Sequence, residues 1–157
     1  MRFPFLLAAA LVAGCAVPPA LTSRTVDAGP FTVGYDHTAL HVADLGVSVA
    51  FYGRVFGLPE ISAPGDPTVI RWLSLGGDDQ LHLIAFPGPV PATTKAVHIA
   101  LVVSDLDALV ARVEAEGLPY SDWPGAGSTL SVRPDGVRQI YVQDPDGYWI
   151  EVNDARY

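Results

Sequence analysis

The sequence predicts an α+β fold made of two tandem βαβββ modules that form one curved mixed sheet with the helices outside. The pattern H-x-A-L-x-V-x-D-L occurs at residues 37–45 and again at residues 98–106. Each copy precedes a helical run, and three short apolar runs typical of strands follow each helix. Neither module has enough apolar residues for its own core, so we expect the two to pack into one domain.

The first module is predicted at residues 35–86, and the second at 97–154. Residues 87–96 are rich in proline and form the predicted linker between them. Helices are predicted at Val47–Phe56 and at Leu106–Glu116 from the spacing of their apolar residues. Their predicted caps are Asp44 and Asp105 at the N-termini, and Gly57 and Gly117 at the C-termini.

Six strands are predicted after the helices, three in each module. They lie at residues 58–63, 69–75, 80–86, 118–123, 137–143 and 148–153. The segments Gly76-Gly77-Asp78-Asp79 and Asp144-Pro145-Asp146-Gly147 are typical of tight turns between strands. Residues 125–136 form a longer loop, which is a candidate lid over a binding site.

The N-terminus has the order of a lipoprotein signal peptide. One charge at Arg2 precedes an apolar run too short to span a bilayer, and Val12-Ala13-Gly14-Cys15 follows. That segment resembles the bacterial lipobox, which implies cleavage after residue 14, lipidation of Cys15 and attachment to a membrane. Ala16 is similar to residues that direct lipoproteins to the periplasmic face of an outer membrane. Residues 15–34 are then a flexible tether.

The charge of the chain argues against a nucleic-acid partner. Nine basic residues face 17 acidic ones, for a net charge of −8. Loss of Arg2 with the leader leaves the mature chain at −9. An acidic surface repels phosphate backbones, so a small-molecule substrate is the expected partner.

Strand alternation places four candidate metal ligands on the face opposite the helices. Thr38, Leu40 and Val42 fit the helix-packed face of the first strand, which leaves His37 and His41 on the other face. The same argument places His82, His98 and Glu151 on that face of their strands. Imidazole nitrogens and a carboxylate suit a divalent ion such as Zn, Ni, Fe, Mn or Co, so we expect a metal-binding cleft there.

The repeated modules and the segment Asp144-Pro145-Asp146-Gly147-Tyr148-Trp149-Ile150-Glu151 resemble the vicinal-oxygen-chelate superfamily of glyoxalases, bleomycin-resistance proteins and extradiol dioxygenases. The resemblance covers residues 35–154 and implies His37, His82, His98 and Glu151 as metal ligands. His82 departs from the family pattern, in which glyoxalase I has an acidic residue and methylmalonyl-CoA epimerases have Gln; it is either a ligand or a neighbour of the ligands. The resemblance also makes His41 a candidate substrate contact or proton shuttle, and Glu151 a candidate catalytic base.

The resemblance implies a metal-dependent lyase or isomerase like glyoxalase I, which acts on a small substrate with two neighbouring oxygens. Two alternatives remain: an Fe(II)-dependent extradiol-type dioxygenase, and a non-catalytic small-molecule binding or resistance protein. A location outside the cytosol argues against glutathione as the co-substrate. The two modules either close on each other in one chain or swap between the chains of a homodimer. Aromatic and basic residues are candidate walls of the pocket: Arg71, Trp72, Tyr120, Trp123, Tyr141 and Trp149.

Overall fold

A computed structural model describes residues 25–156, and these residues form eleven strands and two helices. The signal peptide, Cys15 and the first part of the tether lie outside the described residues. In chain order the elements are β1 (Thr25–Asp27), β2 (Thr32–Gly34), β3 (His37–Val42), α1 (Leu45–Phe56), β4 (Glu60–Ile61), β5 (Ile70–Gly76), β6 (Asp79–Ala85), β7 (His98–Val102), α2 (Leu106–Ala115), β8 (Tyr120–Ser121), β9 (Ser131–Val132), β10 (Arg138–Gln143) and β11 (Trp149–Asn153). Neither α1 nor α2 is long and apolar enough to cross a membrane.

Both predicted helices form with the predicted N-caps, and α1 ends at the predicted Gly57, whereas the C-cap of α2 is Glu116, one residue before the predicted Gly117. The Asp44 carboxylate accepts the backbone N–H of Val47 at 3.0 Å, and the Asp105 carboxylate accepts that of Ala108 at 2.9 Å. Gly57 ends α1 with a φ of 70°, a left-handed conformation that favours glycine. The α+β class and the repeated module are therefore confirmed.

Each module builds its own mixed sheet, whereas the sequence predicted one sheet shared by both. The first sheet has the order β3-β6-β5-β4, and the second has β7-β11-β10-β8 with β9 also paired to β10. The first strand of each module runs parallel to the last strand of the same module. Within residues 25–156, β3 and β7 therefore lie at the free edges of their sheets.

Three segments differ from the sequence prediction in extent. Strands β4 and β8 are shorter than predicted because Pro59 and Pro119, which lack a backbone N–H, precede them. Residues 25–34 of the predicted flexible tether form the antiparallel hairpin β1–β2, since its β-branched residues pair across a turn at Gly29-Pro30. The predicted lid loop contains β9, which pairs with β10.

The turn Asp144–Gly147 of the second module docks on the N-terminal part of α1 in the first module. Asp146 accepts the backbone N–H of Ala43 at 3.0 Å and the hydroxyl of Ser48 at 3.2 Å. The buried Tyr52 hydroxyl donates to Asp144 at 2.9 Å. Apolar residues of both modules share one core beneath these contacts, so the modules are held side by side.

Tyr52→Phe is expected to lower the free energy of unfolding by about 1–2 kcal/mol, because it removes a donor from a buried carboxylate. Burial raises the pKa of Asp144 above its usual range, and the Tyr52 bond opposes that rise. The cost is therefore full at pH values above the pKa of Asp144 and shrinks as pH falls through it. Urea unfolding at several pH values measures it.

Tyr120→Phe is the matched control, since its hydroxyl donates to Glu114 at the surface. It is expected to cost at most about 0.5 kcal/mol. Equal costs for the two variants would show that the Tyr52 contact does not hold the modules together.

Candidate metal site

The strands place the four candidate ligands away from the helices, as the alternation predicted. Leu40 and Val42 of β3 are buried in the core, while His37 is exposed. Leu81 and Leu83 flank His82 in β6 and also lie in the core. In β7 and β11 the residues next to His98 and Glu151 pack in the same way: Ile99, Ile150 and Val152.

In the first module, His37 and His82 form a stacked pair. Their ring centroids are 4.0 Å apart at an interplanar angle of 14°, and the Trp72 ring stacks on the other face of His82 at 4.1 Å. Nδ1 of His37 lies 2.5 Å from the Asp36 carboxylate, and Nε2 of His82 lies 2.8 Å from the Gln80 side-chain oxygen. When these nitrogens carry the protons, Nε2 of His37 and Nδ1 of His82 keep their lone pairs.

The stack limits what His82 can ligate. A metal ion lies in the plane of an imidazole that binds it, about 2.0–2.1 Å from the nitrogen. Two rings stacked face to face therefore cannot both bind one ion without leaving the stack. Burial and then the nearby His37 lower the pKa of His82, so its ring is neutral near pH 7.

In the second module, His98 and Glu151 form a second pair. Nε2 of His98 lies 3.4 Å from Oε2 of Glu151. On its other side, the ring places Nδ1 at 2.9 Å from the backbone oxygen of Lys95. A backbone oxygen only accepts hydrogen bonds, so Nδ1 carries a proton; when the ring is neutral, its lone pair is therefore on Nε2, which faces Glu151.

The Glu151 carboxylate is buried and held on both oxygens. The Tyr141 hydroxyl donates to Oε2 at 2.5 Å, and the Asn153 amide donates to Oε1 at 2.8 Å. Arg133, from the predicted lid loop, brings a guanidinium nitrogen within 4.0 Å of Oε1. Burial and then the bond to Glu151 raise the pKa of Tyr141, which keeps this hydroxyl protonated as a donor.

The described residues bring the four candidates together as two pairs and not as one set. No three His, Cys, Asp or Glu side chains among residues 25–156 lie close enough together to hold a metal ion. The second pair nevertheless fits a cation, because an imidazole nitrogen and a carboxylate oxygen, both ligand types for a divalent metal, face each other at 3.4 Å. His37, which is held by the Asp36 carboxylate, is also suited to bind a divalent cation.

His41 has a different setting from the other three histidines. Its Nε2 donates to the backbone oxygen of Phe86 at 2.7 Å, and the two rings pack edge to face. While this hydrogen bond is present, Nε2 cannot exchange a proton with a substrate, so the structure gives no support for proton transfer through it. The role of His41 as a shuttle stays a prediction.

Sequence reasoning had left the partners of the ligands unassigned. Three candidate pocket-wall residues lie beside the candidate ligands. Trp72 stacks on His82, Tyr141 donates to Glu151, and Trp123 lies edge-on to His98 at 6.4 Å. Two other candidate walls instead make polar contacts with acidic side chains, Arg71 with Glu60 and Tyr120 with Glu114. Strand register offered a signal for one partner, since Tyr141 pairs with Glu151 across β10 and β11.

Two curated relatives match most of this chain. The uncharacterized protein YwbC of Bacillus subtilis (strain 168) is 30% identical over 122 residues, which is 74% of this chain and 93% of that protein. A lactoylglutathione lyase of Salmonella typhimurium is 28% identical over 142 residues, which covers 76% of this chain and 91% of the relative.

A solved structure has the same fold. The protein named Oxidase ChaP-H1 aligns with a TM-score of 0.64 at 26% identity, over 80% of this chain and 98% of its own. Residues 34–152 match the family described as the Glyoxalase/Bleomycin resistance protein/Dioxygenase superfamily. That match includes both modules and all four candidate ligands, and the chain therefore belongs to this superfamily.

Proposed function

We propose that the chain is a divalent-metal-dependent lyase or isomerase, similar to glyoxalase I, that acts on a small substrate with two neighbouring oxygens. His37, His98 and Glu151 hold the metal ion, which is Zn, Ni, Fe, Mn or Co. His82 supports His37 by stacking. The similarity to a lactoylglutathione lyase is consistent with this reaction class.

One observation carries the proposal: the His98 nitrogen and the Glu151 carboxylate face each other, and each is held in place from behind. The Lys95 carbonyl orients the imidazole, and Tyr141 and Asn153 orient the carboxylate. Such supporting hydrogen bonds fix the direction of metal ligands before the ion arrives.

The metal supplies Lewis acidity, which stabilises negative charge on the two substrate oxygens. Glu151 accepts the proton from the carbon beside the carbonyl and returns it to the neighbouring carbon, so the reaction needs no oxidant. Tyr141 and Asn153 keep the carboxylate aimed during both transfers. His82 stands where glyoxalase I has an acidic residue, so Glu151 is the one carboxylate of the proposed site and serves as the base in both directions.

A second function has its own supporting observation. The stack of His37 on His82 leaves two imidazoles and one carboxylate for the metal, a ligand set typical of Fe(II) oxygenases. The similarity to a solved oxidase agrees with that alternative. In this case His37, His98 and Glu151 hold iron for the oxidation of a catechol-like substrate by O2.

We also propose that the complete site forms between two copies of the chain. The turn Asp144–Gly147 holds the modules of one chain side by side, and their ligand pairs stay separate. Within the described residues, strands β3 and β7 both have free edges; the exposed Val97 precedes β7, and the exposed Val102 is its last residue. A two-fold partner would cover these edges and bring the first module of one copy against the second module of the other.

Removal of the metal with a chelator is expected to abolish activity against a panel of 1,2-dioxygenated substrates. If the chain is a lyase or isomerase, addition of Ni(II), Co(II) or Zn(II) under nitrogen restores its activity. If it is an oxygenase, activity requires iron and consumes O2.

Glu151→Gln is expected to lower kcat/KM about a thousandfold, because it removes the base. The control Glu116→Gln changes a surface partner of Arg54 and keeps full activity.

Unchanged ligand affinity in the metal-free protein and in Glu151→Gln, with no turnover by any metal form, would contradict both enzymatic functions. The chain would then be a binding protein.

Mixing two inactive variants tests the shared site. His37→Ala and Glu151→Gln chains, unfolded together and refolded, are expected to recover about a quarter of the wild-type metal sites, because each mixed dimer keeps one intact site. Metal content per chain measures the recovery. Separately refolded variants serve as the control, and no gain on mixing would mean that each site lies within one chain.

We further propose that the mature chain is anchored by lipid on Cys15 to the periplasmic face of the outer membrane. Cys15→Ser is expected to move the protein from the membrane fraction to the aqueous fraction, because the acyl chains supply the attachment. Ala16→Asp is the matched control, since it keeps the lipid and shifts the protein to the inner membrane. Recovery of the wild-type protein in the aqueous fraction, with Met1 and the signal peptide still attached, would contradict the proposal.

A further inference from the structure

We propose that Lys95 is a positioning residue, which sets the direction of His98 and connects it to the base of the predicted lid loop. This inference rests on the proposed function, because it takes His98 as a metal ligand. Lys95 lies in the linker between the modules, three residues before β7 begins, and it is the chain's one lysine.

The side chain of Lys95 is anchored at the end of β8. Its Nζ donates to the Ser121 hydroxyl at 2.9 Å and to the backbone oxygens of Asp122 and Trp123 at 2.7 and 3.3 Å. An ammonium group has three protons, so these bonds can use all of its donors. Lys95 is therefore fixed to the second module and does not extend into solvent.

Two aromatic rings add to this anchor. Nζ lies 4.6 Å from the centre of the Trp149 ring and 5.1 Å from that of Tyr141. Both distances are within the range of a cation–π attraction. No carboxylate of residues 25–156 forms an ion pair with Lys95, so its charge is balanced by carbonyl oxygens and ring faces.

The backbone of Lys95 performs the positioning. Its carbonyl oxygen accepts the Nδ1 proton of His98, which leaves the lone pair of Nε2 directed at Glu151. Lys95 lies in a turn closed by the bond from the Val97 N–H to the Thr94 oxygen, and the side-chain anchor fixes this turn, with the Lys95 carbonyl, to the second module. A free carbonyl would allow His98 to rotate or to place its proton on Nε2, which then could not bind a metal.

Lys95 also reaches the other member of the pair and the loop. The Tyr141 ring beneath its ammonium group carries the hydroxyl that donates to Glu151. Asp122, whose carbonyl accepts from Lys95, also accepts the backbone N–H groups of Gly125 and Ala126 where the loop begins. Lys95 therefore connects the base of the loop to both proposed ligands.

Lys95→Met is expected to weaken Zn²⁺ binding about tenfold, the low end for loss of a group that orients a ligand. It is also expected to shift the ¹⁵N signals of His98 toward a mixture of the two neutral tautomers. Lys95→Arg keeps a cation that can donate to the carbonyls and should restore part of the affinity. Zn²⁺ competition against a chromophoric chelator and histidine NMR measure these effects.

Thr93→Val is the matched control, because it removes a hydrogen bond from the same linker to Gly147 and touches neither His98 nor Tyr141. It should leave the Zn²⁺ affinity and the His98 signals unchanged. Equal losses in Thr93→Val and Lys95→Met would show a general effect of linker stability and overturn the proposal. Unchanged His98 signals in Lys95→Met would also overturn it.

The wild-type protein provides a test that does not depend on a folded variant. With ¹⁵N-lysine and a lysine-free tag, the one Lys95 Nζ signal is expected to shift as Zn²⁺ binds. The shift should saturate at the same Zn²⁺ concentration as metal binding does. Bound Zn²⁺ without a shift would overturn the proposal. If Zn²⁺ does not bind at all, the metal function fails, while the His98 tautomer in Lys95→Met still tests the positioning.

Discussion

The docking of the Asp144–Gly147 turn on α1 is the constraint on which the remaining structure depends. Asp146 satisfies a backbone N–H at the start of the helix region, and the buried Asp144 binds Tyr52. These contacts join the modules through their helix-packed sides, above a shared apolar core. The sides of the sheets that carry the candidate ligands are consequently left open, with β3 and β7 as free edges among residues 25–156.

The two ligand pairs are preorganised by different means. Asp36 and stacking rings hold His37, whereas the Lys95 carbonyl holds His98, and Tyr141 and Asn153 hold Glu151. Burial of the Glu151 carboxylate is offset by its two hydrogen bonds and by the Arg133 guanidinium within 4.0 Å. In the proposed dimer, a divalent ion would take ligands from both pairs.

Much of the fold was predictable because local signals agreed with tertiary packing. Interactions between residues close in sequence produce several of these features: the repeated module, the helix caps at Asp44 and Asp105, and the turn at Asp144–Gly147. Strand alternation also predicted which side chains face away from the helices. The separation into two sheets and the stack of Trp72 on His82 were not predictable, since they depend on which strand edges meet. Lys95 was missed for a similar reason, because its contacts join segments far apart in sequence.

Anomalous diffraction from a crystal loaded with the activating metal would show whether one ion joins ligands of two chains. One peak per site is expected, about 2.1 Å from the His37 and His98 nitrogens and bonded to Glu151. His37 of that site would belong to one chain, and the other two ligands to its partner. A metal bound elsewhere, or a dimer whose ligand pairs remain apart with metal present, would contradict this expectation.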